Sequence, residues 1–112
     1  MLRLMTLCAV LCATTAQAHS PLKSSVPADA AVVATVPQSL DMTFQNPIRL
    51  TRVAVAVNDG TATDLDLGSV DGFVLLYSLP ITDQGAGDYA VEWRGLGDDG
   101  HPMQGTFRFT VE

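Results

Sequence analysis

A chain of 112 residues, 47% of them apolar, has room for one domain with a modest core, and nothing in it suggests a second. Twelve acidic residues against six basic ones give a formal net charge of −6. That balance argues against a nucleic-acid partner and favours cations only in a general way.

The chain opens like a secretory signal peptide. Arg3 gives a short positive start, Leu4 to Ala13 is an apolar run, and Ala16-Gln17-Ala18 has the small-x-small pattern of a cleavage site. Met1 to Ala18 are therefore expected to be removed, leaving one domain from His19 to Glu112 with five basic and twelve acidic residues. The apolar run is too short to span a bilayer, and no later stretch approaches the roughly 20 apolar residues a membrane helix needs. The mature chain is thus expected to be soluble, with no membrane insertion. Both cysteines, Cys8 and Cys12, fall inside the signal, so no disulfide is expected. A lipid anchor at Cys12 is disfavoured by the bulky Leu11 before it. A signal without disulfide or anchor suits a bacterial periplasm.

The mature sequence reads as strands separated by turns, with no segment of helical period. Leu40, Met42 and Phe44 alternate with polar residues, and Val53, Val55 and Val57 alternate with other residues before the turn Asn58-Asp59-Gly60. Phe73 to Tyr77 is a short continuous apolar run. The clearest strands are Tyr89, Val91, Trp93 and then Phe107, Phe109, Val111, each alternating with more polar neighbours. Between them Gly95-Leu96-Gly97-Asp98-Asp99-Gly100 is a loop by composition. Pro27, Pro37, Pro47 and Pro80 are expected near strand ends, where a missing N–H costs least. About seven short strands with one apolar face each predict an all-β domain, an immunoglobulin-like sandwich or a small Greek-key β-barrel.

Two histidines are present in the whole chain, and their positions are informative. His19 directly follows the expected cleavage site, so its free amine and ring Nδ1 can close a six-membered chelate on one metal ion. Pro21 has no amide N–H, which limits the ligands from this end to about two nitrogens. His101 follows Asp99 by two residues, and side chains two apart on an extended segment point to the same side. Pro102 holds His101 in the extended region. Three nitrogens and a carboxylate oxygen in a tetragonal plane suit Cu(II), whereas Zn(II) favours a tetrahedron and Cu(I) favours sulfur. One Cu(II) per chain on His19, Asp99 and His101 is the expected centre.

The segment His19-Ser20-Pro21-Leu22-Lys23-Ser24-Ser25-Val26-Pro27-Ala28-Asp29 opens the mature chain. Gly87-Asp88-Tyr89-Ala90-Val91-Glu92-Trp93-Arg94 and Asp99-Gly100-His101-Pro102, followed by Gly105, Phe107 and Phe109, close it. Together these resemble the CopC copper-resistance family from one end of the mature chain to the other. The resemblance implies a periplasmic Greek-key barrel that binds Cu(II) through the N-terminal histidine and the Asp-Gly-His motif, carried here by His19, Asp99 and His101. It also implies a separate inner-membrane copper transporter as a partner. A methionine-rich Cu(I) loop, present in some members, is not expected, because Met42 and Met103 are far apart and no histidine is spare. Two departures from the family are Ala30, where glycine is common, and Gly95-Leu96-Gly97 before the motif.

Other constellations are weaker. Asp98 and Asp99 are adjacent, and sequence neighbours rarely face one substrate. Asp64, Asp66 and Asp71 lack the spacing and the glutamate of a calcium loop. Trp93 and Tyr89 read as core residues. The expected function is copper buffering, transport or resistance without turnover, and no catalytic residue is assigned. Two alternatives of other classes are a copper-dependent oxidative enzyme built on the histidine brace and a metal-free immunoglobulin-like interaction module.

Overall fold

The computed structural model describes residues 21–69 and 72–112. His19 and the expected signal, residues 1–18, lie outside the described residues. Seven strands follow in chain order: β1 (Leu22–Val26), β2 (Ala31–Val33), β3 (Ser39–Val57), β4 (Thr63–Asp64), β5 (Val74–Pro80), β6 (Gly87–Gly97) and β7 (Pro102–Val111). The expected all-β architecture of about seven strands is therefore present. Among the described residues no helix is long and apolar enough to cross a membrane.

The hairpin of β6 and β7 is the frame on which the motif hangs. Its antiparallel register runs from Gly87 opposite Val111 to Leu96 opposite Pro102. Period-two alternation sends Tyr89, Val91 and Trp93 inward from β6, and Phe107, Phe109 and Val111 inward from β7. Tyr89 and Phe109 are directly opposite and stack with ring centroids 5.0 Å apart. Such cross-strand aromatic pairs contribute roughly 0.2–1 kcal/mol beyond an alanine pair.

The two segments around Phe44 and Val55 were expected as separate strands, and they form one. β3 runs for 19 residues through both halves of the sheet. Its first part, Ser39 to Thr43, pairs with β5, and β1 pairs along Asp41 to Phe44. Its second part, Ile48 to Val57, pairs with β6, and β4 joins at Ala54 and Val55. Pro47 thus sits inside a strand rather than at its end. It is tolerated because pairing with β5 is broken between Thr43 and Ile48, so no ladder bond is lost there. Tyr77 of β5 secures the change of partner: its buried hydroxyl donates to Ile48 O at 2.8 Å and accepts from Leu50 N–H at 3.1 Å.

The change of partner curls the sheet until its two halves face each other over one core. Phe44, from the first half of β3, meets Trp93 of β6 edge-on at 5.1 Å and Tyr77 of β5 at 6.1 Å. Leu40, Met42, Val53 and Leu79 complete the centre of this cluster. Full burial of side chains of this size is worth about 1.5–3 kcal/mol each. The apolar run at β5 resolves into alternation: Tyr77 and Leu79 are buried, while Phe73, Leu75 and Leu76 remain exposed along a sheet edge.

β2 runs parallel to β7, with Ala31 opposite Phe109. The chain enters it through Ala30, which has a φ of +66°, and the Ala30 N–H donates to Arg108 O at 2.7 Å. Left-handed backbone is strained for any residue with a Cβ.

Candidate metal centre

The connection between β6 and β7 is shorter than its composition implies. Gly95, Leu96 and Gly97 belong to the ladder, and Asp98-Asp99-Gly100 alone make the turn. Gly97 O accepts the Gly100 N–H at 2.9 Å, and Gly97 N–H donates to His101 O at 2.9 Å. Gly100 takes φ +82° at the position where a three-residue hairpin turn needs a left-handed residue. The expected loop over residues 95–100 is corrected accordingly. A Cβ on Gly95 would lie 2.8 Å from Ile48 Cδ1, so the glycine marks close packing within the sheet rather than a loop.

The turn brings Asp99 and His101 into contact. The backbone N–H of His101 donates to Asp99 Oδ1 at 3.0 Å, and His101 Nδ1 lies 2.8 Å from Asp99 Oδ2. Both side chains are largely exposed, at 57% for Asp99 and 78% for His101. The backbone bond, and then the ring bond, hold the Asp99 carboxyl below its ordinary value. An ionised carboxylate only accepts hydrogen bonds, so the proton of the neutral ring sits on Nδ1 and Nε2 keeps its lone pair. Histidines that ligate metals are commonly prepared this way, with the second ring nitrogen bonded to a carboxylate.

Gly97 makes room for the pair. A Cβ at that position would stand 2.8 Å from Asp99 Oδ1 and 2.9 Å from Met103 Cε. The carboxylate and the Met103 thioether therefore flank the same backbone position. Beside them a pocket of about 240 Å³ is lined by Pro21, Phe44, Pro47, Asp99 and Met103, among others. Pro21 is fixed there, its carbonyl accepting the Gln45 N–H at 2.9 Å. The first described residue of the chain thus shares a pocket with the Asp-Gly-His turn.

Of the three residues expected to hold copper, Asp99 and His101 are brought together and His19 lies outside the described residues. Among the described residues no group of three His, Cys, Asp or Glu side chains is placed to hold a metal. Of the acidic residues set aside in the sequence, Asp64 and Asp66 have other contacts and Asp71 lies outside the described residues. Asp64 pairs with Arg52 Nε at 2.9 Å, and Asp66 Oδ1 caps the Gly68 N–H at 2.8 Å. Sequence reasoning missed Met103 and Gly97 as neighbours of the motif. The available signal was the closeness of Met103 to the motif in sequence, two residues after His101.

Comparison with known proteins identifies the family. The chain is 29% identical over 114 residues to copper resistance protein C of Escherichia coli, covering 89% of this chain and 86% of that protein. The crystal structure of CopC from Methylosinus trichosporium OB3b superposes with a TM-score of 0.70 at 24% identity, covering 84% of this chain and 94% of the other. PcoC of Escherichia coli, described as a methionine-rich copper resistance protein, superposes with a TM-score of 0.58 at 28% identity, covering 85% of this chain and all of the other. The family model described as the CopC domain matches residues 22–112, the whole of the curled sheet together with its Asp-Gly-His turn, and the chain belongs to the CopC family.

Proposed function

We propose that this protein binds one Cu(II) ion at the β6–β7 turn, in the periplasm, as a carrier or buffer in copper resistance and without catalytic turnover. The observation that carries the reading is the Asp99–His101 pair, in which Nδ1 lies 2.8 Å from the carboxylate and Nε2 is left for a metal at an exposed turn. In this reading Nε2 of His101 binds the ion. Asp99 holds the ring and has lone pairs left for the metal, since a carboxylate offers about four.

The remaining ligands come from His19, through its amine and ring, once residues 1–18 are removed. Pro21 supports this, because it lines the same pocket as Asp99. His19 is two residues earlier in the sequence, and a chain extends by at most about 3.6 Å per residue, so a ligand role for His19 is within reach of the turn. The donor set is then three nitrogens and a carboxylate, which suits Cu(II). A separate inner-membrane copper transporter is the partner this role calls for.

Intact mass of periplasmic material should show a chain beginning at His19. Titration of that chain should give one Cu(II) with an axial electron paramagnetic resonance spectrum and nitrogen couplings. His101→Ala should weaken binding by more than the roughly 10- to 100-fold typical of residues that only support a ligand. One extra glycine before His19 should weaken it strongly too, since it converts the amine to an amide and leaves the fold intact. Unchanged spectra in both variants would place copper elsewhere.

A further inference from the structure

The mature chain has two methionines, and the structure separates them. Met42 is fully buried in the core and has no access to an ion. Met103 is partly exposed near the start of β7, two residues after His101 in the sequence. Its partner across the ladder is Gly95. Its methyl end reaches the point above Gly97 that Asp99 Oδ1 also approaches, and it lines the pocket shared by Pro21 and Asp99. The methyl end of a thioether is thus placed beside the carboxylate of the proposed copper centre.

We infer that the sulfur of Met103 would serve as a soft donor to copper at this turn, weak toward Cu(II) and stronger toward Cu(I), so that one centre accepts either oxidation state. The inference rests on the copper reading above. Cu(II) takes nitrogen and oxygen ligands in a plane and tolerates a weak, long axial thioether, whereas Cu(I) prefers soft sulfur. The expectation of no Cu(I) site relied on the distance between Met42 and Met103. A single thioether beside the motif does not need Met42.

The test uses the chain from His19, loaded anaerobically with Cu(I) supplied as its acetonitrile complex and titrated against a Cu(I) chelator. Met103→Leu, close in volume, should lower Cu(I) affinity by more than about 10-fold, and by a larger factor than it lowers Cu(II) affinity. X-ray absorption at the copper edge should show a sulfur scatterer in the Cu(I)-loaded native protein, lost in Met103→Leu. The native measurement stands even if the variant folds poorly. Equal Cu(I) affinity in the two proteins, or nitrogen and oxygen scattering alone from native protein in both states, overturns the role of Met103 and leaves the Cu(II) reading intact. Native protein that shows no nitrogen-ligated Cu(II) overturns the copper reading itself.

Discussion

His101 is bonded to Asp99 twice within one turn, by its backbone N–H to Oδ1 at 3.0 Å and by its ring Nδ1 to Oδ2 at 2.8 Å. The ring is oriented before any metal arrives, and the carboxylate is kept ionised by the same two contacts. A pre-set ligand loses less freedom on binding than one that must be ordered by the metal.

The first prediction concerns protons. Asp99 is held below the ordinary 3.8, first by the His101 N–H and then by the His101 ring. A carboxylate depressed in the folded state adds stability above its unfolded pKa and loses it as pH falls through the folded value. In metal-free protein, carbon-detected NMR should therefore give Asp99 a midpoint below 3.8. His101→Ala keeps the backbone bond and removes the ring, so the midpoint should move part of the way back. A native midpoint at or above the ordinary value would deny both bonds.

Gly97→Ala tests the space that the pair requires. The new methyl would displace the Asp99 carboxylate and the Met103 tip, both of them ends of side chains rather than backbone. Thermal stability should change by no more than about 1 kcal/mol, while Cu(II) affinity should fall by about 10-fold or more. Unchanged affinity on calorimetric titration would mean that the position of Asp99 does not matter to the ion.

Copper affinity should also depend on pH in a way that a histidine pair alone cannot produce. An α-amino group titrates at about 7.7–8.0 and an imidazole near 6.5, and the metal must displace both protons. Apparent affinity should keep rising from about pH 6 to 8. A plateau by about pH 7 would remove the terminal amine of His19 from the ligand set.

Ala30→Gly should stabilise the metal-free protein. Alanine at φ +66° carries a left-handed strain of roughly 1–2 kcal/mol, and the greater freedom of glycine in the unfolded chain offsets part of the relief. A gain of about 0.5–1 kcal/mol in chemical denaturation is expected. Copper binding should be unaffected, because Ala30 adjoins β2 and β7 near Arg108 rather than the turn.

Tyr77→Phe should do the reverse. It deletes the hydroxyl that serves Ile48 O and Leu50 N–H, leaving both backbone groups buried beside an apolar ring. Destabilisation of about 2 kcal/mol is expected from denaturant midpoints, with Cu(II) stoichiometry still one. A neutral effect would show that the bend of β3 needs no clamp.

Alternation alone located β6 and the buried end of β7, because each of those strands presents one face to a core and one to water. The same rule failed at β3. Pro47 and the polar residues around it read as a break, and only pairing with β5 and β1 on one side and β6 on the other makes a single strand of the two halves. It failed again at Gly95 and Gly97, where glycine signals a turn in sequence terms. In the fold those positions are strand, and a side chain there would strike Ile48 or Asp99.

For the proposed metal centre, the sequence by itself determined the candidate donor types and their spacing: an Asp-x-His pair, a histidine after a cleavage pattern, and no other histidine to compete. Tertiary structure alone decided which nitrogen of His101 is free, since that depends on the hydrogen bond closed by a three-residue turn. It also decided that Met103 rather than Met42 borders the motif. Both lie on apolar-facing strand positions, but one is at the sealed centre of the curled sheet and the other at its open rim. Local pattern fixes the face of a strand a side chain takes, and only the packing of distant strands fixes how deep that face lies.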